Sequence, residues 1–178
     1  MASQSSLLGA AGEYFVMAEL LRRGYIAALA PQGVPNADIV VTDVEGGRLC
    51  SIQVKTRRDL GSDGGWHMKA KHEGIRAAQL FYCLVNFGKT ADDRPTVHVL
   101  PSTLVADVLS AMHRRWLAKP GKKGQSHKDT QMRRLLPDYT RTLGPADNPY
   151  AAGWLDKYRD AWHLLGLEPG DVERAAEE

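Results

Sequence analysis

Residues Asn36 to Arg57 read N-A-D-I-V-V-T-D-V-E-G-G-R-L-C-S-I-Q-V-K-T-R, and this stretch decides the fold. Ala37 to Thr42 is rich in β-branched residues, Glu45-Gly46-Gly47 is turn chemistry, and Leu49 to Thr56 is again strand-like. The stretch therefore predicts two strands joined by a tight turn. Strand side chains alternate between faces, so Ser51, Gln53, Lys55 and Arg57 point one way and Ile52, Val54 and Thr56 the other. Asp38 shares a face with Val40 and Thr42. Pairing the strands brings Asp38 beside Gln53 and Lys55, so a carboxylate, an amide and an ammonium converge at one end of the hairpin.

That trio suits metal-assisted attack on a phosphodiester. A hard divalent cation takes oxygen ligands, and Mg²⁺ is commonly held by one or two carboxylates while keeping several waters. The cation polarises the phosphate, and a nearby lysine orients the attacking water or stabilises developing charge. The alternative is a solvated strand face on which Asp38 and Lys55 are incidental.

D-I-V-V, a turn and I-Q-V-K together resemble the PD-(D/E)XK nuclease superfamily, which includes restriction endonucleases and archaeal Holliday-junction resolvases. The likeness covers roughly Leu7 to Pro101. Alanine stands where the superfamily usually has proline before Asp38, and Gln53 stands at the second acid. A Q-X-K arrangement is similar to that of Mrr-type restriction enzymes. The resemblance implies a restriction-endonuclease-like α/β sandwich, a Mg²⁺ or Mn²⁺ cofactor and a DNA substrate. It implies Asp38, Gln53 and Glu13 as metal ligands, with Lys55 orienting the water. Cutting both strands calls for two sites, so a homodimer is expected.

The chain has 178 residues, 43% of them hydrophobic and 25% charged, enough for one sizeable core. Cys50 and Cys83 both fall in apolar strand-like runs and read as buried thiols of a reduced, cytoplasmic protein. No run approaches the ~20 apolar residues of a membrane span, and the N-terminus carries no basic region followed by an apolar signal core.

Ser5 or Ser6 is the expected cap of a first helix running to about Arg23 and stopped by Gly24. At ~100° per residue, Leu7, Ala11, Tyr14, Phe15, Ala18 and Leu21 form its apolar side, and Gly12, Glu19, Arg22 and Arg23 its solvent side. Glu13 falls among Gly9, Val16, Met17 and Leu20 and needs a partner there. That partner is a basic residue in an ion pair or, as the resemblance implies, the metal.

Further strands are expected at Tyr25–Ala30, Leu80–Asn86 and Thr96–Leu100, the apolar Leu80–Asn86 run being buried on both faces. Short and long helices are expected at Glu73–Gln79 and from Ser102, as N-cap, to Leu117. Trp66, flanked by His67, Lys69, Lys71 and His72, either stacks on a base or contacts the DNA backbone with that cluster, or it covers the core. Between Arg114 and Arg141 nine basic residues outnumber Asp129 and Asp138, a local charge of +7 in a chain of net +2. Lys122, Lys123, Lys128, Arg133 and Arg134 of that run, with Arg57, Trp66 and Lys69, are the expected nucleic-acid contacts. The expected organisation is a nuclease-like core over 1–118, a basic loop-rich segment over 119–147, and a C-terminal part over 148–178. In that last part an amphipathic helix, Tyr150 to Leu165, docks on the core ahead of an acidic tail.

Two rival functions remain open: a nuclease-like fold that binds DNA without cutting it, and a protein-interaction module using the basic segment. A zinc hydrolase does not fit, since His67 and His72 lack a helical His-x-x-x-His spacing, and no G-x-S-x-G turn supports a serine hydrolase.

Overall fold

The structure, a computed structural model, describes residues 3–31, 33–60, 64–121, 123–144 and 148–170. Five strands form the main sheet: β1 (Ile26–Leu29), β2 (Ile39–Thr42), β3 (Leu49–Arg57), β5 (Leu80–Asn86) and β6 (Thr96–Pro101). Their spatial order is β1-β2-β3-β5-β6, with β3 and β5 parallel and every other pair antiparallel. The register sets Ile39 opposite Ile52 and Val40 opposite Ser51, as the turn-linked pair predicts. The third residue of the turn bends back through a Gly47 N–H that donates to Asp43 at 2.8 Å.

β5 explains why its sequence is apolar throughout. Phe81, Cys83 and Val85 pack with Ile39, Ile52 and Val54 in a cluster closed by Val16 and Leu20 of α1 (Gln4–Leu21). Tyr82 and Leu84 enter a second cluster with Leu100 and with Val105 and Leu109 of α2 (Ser102–Ala118). A strand covered on both faces cannot alternate polar with apolar residues. The result is the three-layer α/β sandwich around a mixed sheet that the sequence predicts. Cys50 and Cys83 are buried free thiols. Among the described residues no helix is long and apolar enough to cross a membrane.

α1 is turned the other way from its expectation. Its buried residues are Gly12, Val16 and Leu20, whereas Leu7, Tyr14 and Leu21 are 61%, 58% and 48% exposed. The reason is Gly12, where the helix presses onto β3 so closely that a Cβ would sit 1.9 Å from Thr56 Oγ1. Ser3, ahead of the expected Ser5 or Ser6, caps the helix by accepting from the Ser6 N–H at 3.1 Å.

Other local expectations are also revised. Ser102 is the first helical residue of α2 and does not cap it: its hydroxyl donates to Ala77 O at 2.8 Å and accepts from Ala77 N at 3.0 Å. In place of a helix at Glu73–Gln79 there is a single 3₁₀ turn at Ala70–Glu73. Two short strands went unforeseen: β4 (Trp66–Lys69) pairs antiparallel with β7 (Met132–Leu135) as a separate two-stranded sheet. Leu135 is buried with Trp66, Met68 and Tyr82, so the basic segment contributes to the same core as β5. A four-residue helix, Thr140–Leu143, follows.

Tyr150 to Leu165 is not a helix. It folds as two 3₁₀ turns, Asp156–Tyr158 and Trp162–Leu165, with Asp160 between them in the left-handed region at φ 50°. The aromatic residues nonetheless dock as expected, Ala161, Trp162 and Leu165 closing the α1 side of the core. The acidic tail beyond residue 170 lies outside the described residues.

Candidate active site

Asp38 stands immediately before β2, and the chain reaches it through Asn36, which adopts φ 61°, a conformation asparagine tolerates better than most residues. Its backbone N–H donates to Ile52 O at 2.8 Å, which locks it to β3. One carboxylate oxygen, Oδ2, accepts from the Val54 N–H at 2.7 Å and from the Gln53 side-chain amide. Strand parity then sends Lys55 to the same face. Because Gly12 lets α1 approach β3, Glu13 comes in from the helix.

Glu13, Asp38, Gln53, Lys55, Arg57 and His67 line one cavity of about 560 Å³. A neighbouring cavity of about 710 Å³ shares Gln53, Lys55 and His67 and adds Lys69, Lys71 and His72. A smaller one of about 200 Å³, against α2 at Leu109 and Trp116, is built from other residues. The expected quartet is thus brought to one opening, and the cationic residues gather on its far side.

Proton affinities follow from burial and charge. Burial raises the Glu13 pKa, the Asp38 carboxylate adds to the rise, and Lys55 opposes it. Burial lowers the Lys55 pKa, and Lys71 and Lys69 lower it further, against the pull of Asp38 and Glu13. His72 is held down to about 4 by burial and by Lys55, Lys71 and Lys69, so its ring is neutral at pH 7. It lies 2.7 Å, Nδ1 to Oη, from Tyr82, whose hydroxyl burial and Asp38 push up to about 12. Perturbed groups gathered in one cleft are a recognised mark of functional sites.

The donor set fits a hard cation of the Mg²⁺ kind. Two carboxylates, Glu13 and Asp38, and one neutral amide, Gln53, line the cavity with oxygen donors of that kind, and such a cation keeps water at its other positions. Among the described residues no group of three or more His, Cys, Asp or Glu side chains is placed to hold a metal ion. Gln53 turns its amide nitrogen to Asp38, so its oxygen becomes a ligand only when that amide turns over.

The expected nucleic-acid residues divide. Lys69, Lys123 and Lys128 are exposed, as is Arg134, while Lys122 lies outside the described residues. Trp66 is 1% exposed, with its indole N–H donating to Val85 O at 2.8 Å. It covers the core and has no free face for a base. Arg57 stacks its guanidinium over that indole at 4.4 Å and pairs with Asp59 at 3.6 Å. Arg133 is also internal: it pairs with Glu73 at 2.6 Å and Asp129 at 3.3 Å and donates to Met132 O. It is a structural cation, not a phosphate contact. Tyr82 was not singled out from sequence, although β5 parity puts it opposite Gln53, and His72 entered only as a member of the basic cluster beside Trp66.

No family model and no curated protein sequence matches this chain. Among solved structures it is similar in fold to a bacterial homing endonuclease, with a TM-score of 0.49 and 17% identity over 99% of this chain and 96% of that one. It is similar also to Hjc of Archaeoglobus fulgidus, a Holliday junction resolvase, with a TM-score of 0.40 and 17% identity over 71% of this chain and 82% of that one.

Proposed function

We propose that this protein is a divalent-metal-dependent DNA nuclease, hydrolysing phosphodiester bonds with Mg²⁺ or Mn²⁺ in a reduced, cytoplasmic setting. The observation that carries the reading is the meeting of Glu13, Asp38, Gln53 and Lys55 on one cavity beside a cavity lined by Lys69 and Lys71. Asp38 and Glu13, with the Gln53 amide oxygen, would hold the cation. When bound, it supplies Lewis-acid polarisation of a phosphoryl oxygen and offsets negative charge.

The chain's own groups do the rest. Water attacks phosphorus and the P–O ester bond breaks, leaving a phosphate monoester and a hydroxyl. Glu13, whose carboxylate has a raised proton affinity, accepts a proton from the attacking water. The Lys55 ammonium orients that water and stabilises the charge that builds on the phosphoryl oxygens. Lys69 and Lys71 contact neighbouring phosphates, and Lys123 and Lys128 extend the cationic surface.

Purified protein with Mg²⁺ or Mn²⁺ should cleave DNA, and Asp38→Ala or Lys55→Ala should lower the rate by roughly 10³-fold or more with the fold unchanged. Equal activity in wild type and Asp38→Ala defeats the reading. A second readout is calorimetric Mn²⁺ titration. Glu13→Gln should weaken binding, since it leaves one carboxylate, whereas Gln53→Glu should preserve or strengthen it by adding ligand charge.

One observation favours a binding-only alternative: one carboxylate oxygen of Asp38, Oδ2, already accepts from two protein donors, Gln53 and Val54. DNA affinity indifferent to chelator, with no cleavage, would select that alternative. In both cases neutralising Lys123 and Lys128 should reduce the salt slope of DNA binding by ~0.9 for each phosphate that is no longer neutralised.

A further inference from the structure

The outward face of α1 carries a seam that neither the core nor the site uses. Gln4, Leu7, Ala11, Tyr14, Ala18 and Leu21 recur at alternating spacings of three and four, the heptad spacing of a helix that packs against another helix. All six are exposed, and they lie opposite the buried Gly12, Val16 and Leu20. Single exposed apolar residues are ordinary, but a contiguous apolar stripe along one helix is a mark of an interface.

Sizes along the seam are ordered. The large residues Leu7, Tyr14 and Leu21 occupy one position of the repeat, and the small residues Ala11 and Ala18 the other between them. In an antiparallel pair the two positions face each other across the interface. A second copy, reversed about the midpoint of the Gln4–Leu21 helix, therefore sets Leu7 against Ala18 of the other copy and Tyr14 against Ala11. Leu21 then falls opposite Gln4. Leu7 and Tyr14 each meet an alanine, so the middle layers interdigitate without a void, and Gln4 covers Leu21 at each end of the seam. The same patch serves both partners, as a two-fold interface requires.

We propose that α1 is the centre of a homodimer interface in which two copies pack antiparallel through this seam. The seam itself bears no charge, so it offers nothing to an acidic or basic partner. The nearest ions are already committed, Glu19 pairing with Arg22 at 2.8 Å and with Arg23. The area also constrains the partner. Three large side chains and two alanines present roughly 400 Å² of apolar surface per copy, the scale of an interaction patch and about half of the ~800 Å² per partner of a standard interface. An interface of that size falls at the weak end of specific protein contacts. Glu13 lies on the flank of the same helix, so each copy would carry a complete site, with the two sites linked by the rigid helix pair.

Sedimentation equilibrium over a concentration series tests this. Wild type should be a dimer in the upper part of a micromolar range, and Tyr14→Arg and Ala11→Glu should be monomers with unchanged melting temperature, because both positions face outward. Ile26→Arg, placed at another exposed apolar residue (52% exposed), should dimerise like wild type. A wild type monomeric at about 100 micromolar overturns the proposal. So does a Tyr14→Arg protein that still dimerises, or an Ile26→Arg protein that does not.

Discussion

α1 and α2 are nearly the same length, 18 and 17 residues, and they meet the sheet in opposite ways. α2 has one apolar side and buries it: Val105, Ala106, Val108, Leu109 and Met112 go inward while Asp107 and Arg114 stay in water. Hydrophobicity alone orients such a helix. α1 is apolar nearly all round, so hydrophobicity leaves its rotation undecided. Its rotation is set by shape, because the backbone can approach β3 only at a residue without a side chain, and that residue is Gly12. A glycine within an apolar helix can thus outweigh larger apolar residues in choosing the inner face.

The comparison breaks most violently at the glycine. Gly12→Val should destabilise by about 3 kcal/mol or more, since overpacking costs about 1–3 and the clash here is with a β-branched strand residue. Ser110→Val, at a half-buried position of α2, should change stability by no more than about 1 kcal/mol. Urea unfolding measures both, and a Gly12→Val protein as stable as wild type would show that α1 does not bear on β3. Next in size, Leu20→Ala and Leu109→Ala should each cost about 3 kcal/mol as fully buried leucines lose their packing. Leu7→Ala should cost no more than about 0.5 kcal/mol in the monomer. Equal losses at Leu20 and Leu7 would mean that the helix does not turn its Gly12 side to the sheet.

The smallest effect concerns ionisation on the inner flank of α1. Glu13 has a folded pKa raised above its ordinary 4.5, so the folded chain binds more protons there than the unfolded one. This contribution to stability is present at low pH and is lost as pH rises through the folded pKa. Glu13→Gln should therefore match wild type below the ordinary 4.5 and become the more stable protein once the pH has passed the folded pKa, a difference that urea unfolding at a series of pH values would read. Its sign would reverse if Glu13 were held chiefly by an ion pair with Lys55. His72 runs in the opposite sense. Its pKa, lowered from 6.5 to about 4, removes stability as pH falls across that interval, and the loss should shrink in a His72→Gln variant.

These contrasts bear on what a sequence discloses. The five main strands were legible because β-branched runs and turn residues are local signals, and Asp38, Gln53 and Lys55 followed from strand parity. β4 and β7 were not legible. In Met132-Arg133-Arg134-Leu135 the residue that points inward beside Leu135 is Arg133, tolerated there by Glu73 far earlier in the chain. A long-range ion pair inverts the local pattern. The same ambiguity hid the role of Trp66, whose burial depends on Leu135. At Tyr150–Leu165 the aromatic spacing suggested a helix, but the chain turns through left-handed backbone at Gly153 (φ 89°) and Asp160.

The pairing of β4 with β7 also bears on the order in which the protein is made. Trp66 is placed opposite Leu135 and His67 opposite Arg134, so the wall of the cationic cavity closes only once the chain has been synthesised past residue 135. Asp38, Gln53 and Lys55 can pair on the ribosome well before that. A nascent chain that ends before Met132 has its hairpin but lacks the partner that seats His67 and Lys69 beside Lys55. Because chains emerge from the N-terminus, the Asp38–Lys55 hairpin waits, half walled, for a strand from the last third of the protein.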